Sequence, residues 1–188
     1  MDALMAALVA AALAQVGDRP AWLTSILADR YRKPGLVIAA AAAAVLAAGL
    51  LAAAAGAALA PRLTPEAKQL FLALALLVQG GGVLFPVKPP DRLAGWRLGA
   101  ALTSLLGLFI LAFGDGVQFI VLALAARAEL PWLAAVGAML GSLAVIAPAA
   151  ILGEAGWTAL PLAMLRRVVG ILFVIAALPL GLAALRLI

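Results

Sequence analysis

GDRPAWLTSILADRYRKP, residues 17–34, and GDGVQFIVLALAARAELP, residues 114–131, are two versions of one segment. At a constant offset of 97 positions they share Gly17/Gly114, Asp18/Asp115, Arg30/Arg127 and Pro34/Pro131. Leu27/Leu124 and Ala28/Ala125 also match, which means less in a chain rich in Leu and Ala, and Gly56/Gly153 falls on the same offset. Each Gly-Asp pair interrupts an otherwise apolar run. A carboxylate inside hydrocarbon is costly and usually marks a site. Two of them on related segments predict one site assembled from two halves of a membrane protein.

Composition supports that reading. The chain has 188 residues, of which 68% are hydrophobic and 11% charged, with a mean hydropathy of +1.22. Soluble domains are about half apolar and a quarter charged, so this is an integral membrane protein whose solvent is lipid. Only helices or a closed barrel can span a bilayer. Runs such as Leu36 to Ala60 are apolar throughout, without the alternation of barrel strands. The fold class is therefore an all-α integral membrane protein.

Six transmembrane helices fit, with cores near Ala3–Ala28, Leu36–Ala60, Ala67–Val87, Leu98–Ala126, Trp132–Leu152 and Leu162–Leu185. Ala12-Leu13-Ala14 resembles a cleavage site, but no basic region precedes it, so the first span is expected to be retained. A single membrane domain, residues 1–188, divides into a first repeat (1–87), a polar linker (88–96) and a second repeat (97–188). Three spans per repeat is an odd number, so the second copy inserts upside down. This is the inverted-repeat plan of many secondary transporters, whose site lies near the bilayer midplane.

Positive residues set the orientation. Arg30, Arg32, Lys33, Lys88, Arg92, Arg97, Arg166 and Arg167 gather on one side, and Arg62, Lys68, Arg127 and Arg186 on the other. Both termini are expected to be non-cytoplasmic, in a bacterial inner membrane. The net charge of +5 serves topology, and nucleic acid is not expected as a partner.

Asp18 and Asp115 are the candidate metal ligands and proton-coupling groups, with Gln15 and Gln118 as amide ligands. On continuous helices, Gln15 and Asp18 would share a face that Ser25 continues, as would Asp115 and Gln118. Two carboxylates and two amide oxygens suit a hard divalent cation. Structural readings compete. Asp18 could be neutralised by Arg19, Asp115 could be a protonated hydrogen-bonding carboxyl, and the glutamines could be interhelical glue. Glu154 is expected to pair with Arg166 or Arg167. Gly137/Gly141 and Gly80-Gly81-Gly82 read as packing surfaces, and Trp22, Trp96, Trp132 and Trp157 mostly as interfacial anchors, with Trp22 near enough to Asp18 to shape its cavity.

Gln15-Val16-Gly17-Asp18-Arg19-Pro20, followed by Leu27-Ala28-Asp29-Arg30-Tyr31, resembles the signature of the Gdt family of cation/proton antiporters. That family includes the Golgi manganese and calcium exchanger and bacterial relatives. Its hallmark, Glu-x-Gly-Asp-(Lys/Arg)-(Thr/Ser), occurs once in each of two inverted three-span repeats. Here Gln15 and Ala112 stand where the family has Glu, Pro20 and Val117 replace the hydroxyl residues, and Gly116 replaces the basic one. Asp18 and Asp115 match the family's acids. The resemblance implies exchange of manganese or calcium for protons, through a pocket with fewer carboxylates.

The leading expectation is thus a secondary transporter exchanging a divalent cation for protons. A transport-inactive scaffold or regulatory subunit derived from such an antiporter is the alternative, and export of an organic solute a third. No enzyme is expected: the chain has no Cys or His and no phosphate-cradling loop. No cofactor is expected beyond the transported cation. The expected partners are the lipid bilayer, the cation and protons; Ala- and Gly-rich faces also allow a homodimer or a related membrane partner.

Overall fold

The computed structural model describes residues 1–83 and 85–187. Eight α-helices follow in order: α1 Asp2–Ala14, α2 Arg19–Tyr31, α3 Pro34–Leu59, α4 Pro65–Val83, α5 Gly99–Phe113, α6 Gly116–Ala125, α7 Trp132–Thr158 and α8 Leu162–Ala184. A 3-10 turn, Ala60–Arg62, precedes α4. The start of each of the first four helices recurs close to 97 residues later. Packing repeats as well: α1 lies on α7 as α5 lies on α3, and α2 lies on α7 as α6 lies on α3.

The spans expected over Ala3–Ala28 and Leu98–Ala126 are each divided in two. Asp18 N-caps α2, its carboxylate accepting from the Arg19 backbone N–H at 2.8 Å, and Pro20 lies in the first turn. Gly17, at φ +69, turns the chain between α1 and α2. An aspartate at an N-cap satisfies amide groups that a helix start leaves free, and proline there loses no helical hydrogen bond. Asp115 caps α6 in the same way, with α5 and α6 bent by 69°. Local sequence therefore breaks both helices at the aspartates.

Three helical stretches among the described residues are long and apolar enough to cross a membrane: Pro34–Arg62, Trp132–Thr158 and Leu162–Ala184; the bent pair α5–α6 can serve as a fourth. α8 leaves Met164, Val168, Ile171, Ile175 and Leu178 exposed, as expected of a helix facing hydrocarbon.

Small residues let the helices approach closely. A methyl group built on Gly137 or Gly141 of α7 would strike the carbonyl oxygens of Leu4 and Leu8 in α1. Gly80 of α4 and Gly170 of α8 approach each other's backbone in the same manner. Gly81 and Gly82 have nothing within 4 Å and take no part in the packing expected of them. Trp157 is buried in the core near the end of α7, whereas Trp132 is exposed.

The repeat is not strict. α7 breaks at Gly153 (φ +70, ψ 178), where the Glu154 backbone N–H donates to Asp29 at 2.7 Å. Its counterpart Gly56 stays helical and packs on the Leu122 carbonyl of α6. Arg30 donates to the carbonyls of Arg92, Leu93 and Ala94, clamping the linker to the end of α2. Glu154 pairs with Arg92 of that linker and not with Arg167, nor with Arg166, which is bonded to Asp18 instead.

Replacing Gly137 or Gly141 by Val should destabilise the protein by about 1–3 kcal/mol through overpacking, read as a lower thermal midpoint in detergent. Gly81→Ala should leave the midpoint unchanged.

Candidate ion-binding site

The two helix breaks meet. Gln15, the residue that ends α1, is 1% exposed, and its Nε2 donates to Asp115 Oδ2 at 3.3 Å. Asp18 and Asp115 line one cavity of about 480 Å³, together with Arg19, Gln79, Gly114 and Arg166. Phe85, Pro86 and Val87, which follow α4, form part of the same wall. Two acids 97 residues apart in sequence thus face a common space, one at the start of α2 and one at the start of α6.

Their surroundings differ. Asp18 is paired with Arg166 of α8, whose guanidinium lies 3.3 Å from Asp18 Oδ1 and 3.0 Å from the Gly17 carbonyl oxygen. Neither side chain is far from burial, at 11% exposure for Arg166 and 19% for Asp18. Arg19 contributes its backbone N–H to Asp18, and its side chain makes no ion pair with it among the described residues. Neutralisation by the sequence neighbour, one of the structural readings, is replaced by neutralisation from another helix. Asp115 receives the Gln15 amide and, at a long 3.5 Å, the Val117 backbone N–H.

Gln15 does not share a helical face with Asp18, since α1 ends at Gln15 and the chain turns through Gly17 before α2. It belongs instead to the second acid, across the repeat. Its Oε1 is buried without a hydrogen-bond partner, which leaves an oxygen free beside Asp115. Ser25 turns its hydroxyl to the Trp22 carbonyl at 2.7 Å and does not extend the acidic face. Gln118 lines a separate apolar recess with Ala48, Leu51, Phe113, Phe119 and Leu122. The structure does not bring it to the wall that holds the aspartates.

Two residues escaped the sequence reading. Gln79 is an amide in the apolar second half of α4, and its buried side chain packs against Gly116 where no Cβ could fit. The amide within Leu76-Leu77-Val78-Gln79-Gly80 was the available signal. Arg166 read as a membrane-flanking charge, and only the approach of α8 to the first break shows otherwise. Gly17 makes that approach feasible: a Cβ there would meet the Arg166 and Leu162 side chains at 2.9–3.1 Å.

The family pattern of "Divalent cation/proton antiporter GDT1" matches the chain over residues 3–90 and again over 100–186, two segments whose starts are 97 apart. The fold and paired acidic breaks thus fall within a class of membrane antiporters. The chain belongs to the GDT1 divalent cation/proton antiporter family and is an all-α integral membrane protein. It is also 33% identical over 180 residues to a Vibrio cholerae protein named "Putative manganese exporter", a match covering 95% of this chain and 90% of that one. No solved structure matches.

The two motif glycines should respond differently. Gly17→Ala places a side chain at φ +69 and against Arg166, costing about 1–2 kcal/mol from the backbone alone. Gly114, at φ −93 with nothing within 4 Å, should accept Ala with little change. Thermal unfolding of both variants in detergent checks this.

Proposed function

We propose that this protein exchanges a divalent cation, manganese or calcium, for protons at a midmembrane site built from Asp18 and Asp115. The observation that carries the proposal is the shared cavity, with Gln15 from the first break bonded to Asp115 at the second. Family membership and the relative named as a manganese exporter support the choice of cargo. The six-span plan, with residues 1–87 and 97–188 as oppositely inserted repeats, accords with helix starts that recur near the 97-residue offset and with the parallel packing of the two halves.

The chemistry follows from mutually exclusive occupancy. Carboxylate oxygens bind a hard divalent cation, and the free Oε1 of Gln15 offers a neutral oxygen beside them. The same carboxylates hold protons when the ion has left. An ionised carboxylate without a partner is costly in a low-dielectric site, so exchanging one occupant for the other couples the two flows. Both termini on the non-cytoplasmic face of a bacterial inner membrane remains the favoured orientation. With Arg166 assigned to the site, seven basic residues face the cytoplasm against four outside.

A transport-inactive subunit is the second reading. No group of three or more acidic, His or Cys side chains able to hold a metal occurs among the described residues, and Arg166 already occupies Asp18. The two readings separate in proteoliposomes loaded with a manganese-sensitive dye. An exchanger gives proton-driven flux in the wild type and background flux in Asp18→Asn and Asp115→Asn. Equal flux in all three removes the aspartates from the mechanism, and wild-type flux at background favours the inactive subunit. Gln15→Glu adds an anionic ligand and should tighten manganese binding by about tenfold, measured by calorimetry.

A further inference from the structure

We infer that Arg166 is a tethered counter-ion that competes with the transported cation for Asp18, and so sets the affinity of the site. The inference rests on the exchanger reading and names a residue that lies outside both Gly-Asp motifs. Four observations bear on it. The guanidinium bonds at once to Asp18 and to the Gly17 carbonyl, two oxygens of the first break. Its helix, α8, is the last of the chain, 148 residues away from Asp18 in sequence. Gly17 carries no Cβ, and the Arg166 stem fills the space one would take. Arg166 also lines a second cavity of about 560 Å³, with Gly17, Trp22, Leu162 and Arg167, which shares part of its wall with the first.

Charge decides what this arrangement does. With both carboxylates ionised the cavity carries two negative charges, offset by Arg166 and by Arg19 in its wall. A divalent cation entering with Arg166 in place meets a site that is already neutral and leaves two positive charges in excess beside hydrocarbon. Like charges at this range in a poorly hydrated site repel strongly. With the guanidinium withdrawn, that excess falls by one unit charge, which favours the ion. The 560 Å³ cavity gives the long, flexible arginine stem somewhere to go. Its return satisfies Asp18 and the Gly17 carbonyl once the ion leaves, so the emptied site keeps a partner for its buried anion. Arg166 therefore weakens binding and speeds release, a positioning residue acting through Asp18.

The same geometry explains the low acid content of the pocket. A site with more carboxylates could hold both the arginine and a divalent cation. Here Gln15 and Ala112 are neutral, and Arg166 and the cation must alternate on Asp18.

The test uses the full chain purified in detergent, with manganese binding measured by calorimetry and flux in proteoliposomes. Arg166→Gln should bind manganese about tenfold more tightly than the wild type, because removing one competing unit charge is worth roughly a decade in affinity at such sites. KM for manganese should fall together with kcat as release slows. Arg166→Lys keeps the charge but is too short to hold both oxygens, and should fall between the two. Adding Arg166→Gln to Asp18→Asn should produce no further tightening, which separates competition for Asp18 from a structural effect. Should Arg166→Gln fail to fold, by thermal melt and gel filtration, the Lys variant and its combination with Asp18→Asn carry the same test. Unchanged or weaker binding in folded Arg166 variants, with the wild type active, overturns the counter-ion and spares the exchanger. Binding in Arg166→Gln but not in the wild type supports the counter-ion and overturns the exchanger. Binding in neither overturns both.

Discussion

An ionised carboxylate set among apolar helices must be met by donors, a counter-charge or a bound cation, and the structure around the first break answers that requirement for Asp18. The helix stops before Asp18, so that the Arg19 amide at the start of α2 donates to the carboxylate. The backbone turns through a glycine whose φ no other residue adopts cheaply. The missing side chain lets α8 pass close enough to supply Arg166. Each feature depends on the one before it, from backbone conformation to helix packing to charge balance.

The second break solves the same problem with different materials. Gly114 keeps an ordinary φ, no arginine is bonded to Asp115 among the described residues, and the amide of Gln15 takes the place of a cation. Gln79 crosses from α4 where Gly116 leaves room. A duplicated unit thus yields a site with one acid balanced by a full charge and the other by dipoles. The two carboxylates therefore face the shared cavity in unlike electrostatic surroundings.

Packing elsewhere in the fold keeps these breaks in register. Gly137 and Gly141 seat α1 directly on the backbone of α7, and α7 in turn bears on α2 and α3. The kink at Gly153, held by Asp29, and the linker, held by Arg30 and by the Arg92–Glu154 pair, join α2, α7 and the connection between repeats at one end. Phe85, Pro86 and Val87, between α4 and the linker, also reach the cavity wall. Residues that read in sequence as the end of the third span therefore lie beyond α4 and form part of the site's enclosure.

What the sequence alone determined is local in origin. A proline beside Asp18, glycines beside both aspartates and the 97-residue repetition of Gly-Asp, Arg and Pro are short-range signals, and they suffice to indicate acids at helix interruptions in a duplicated membrane protein. Apolar composition likewise fixes the solvent without reference to packing. The tertiary structure decided what those acids touch. Gln15 looked like a neighbour of Asp18 because three residues make one helical face, but the helix ends there and the amide turns to Asp115. Gln118 looked equivalent and lies in an apolar recess instead. Arg166 carried no local mark at all. Charge pairing across 148 residues depends on how closely two helices approach, and that distance is set by small residues on both, summed over the whole interface.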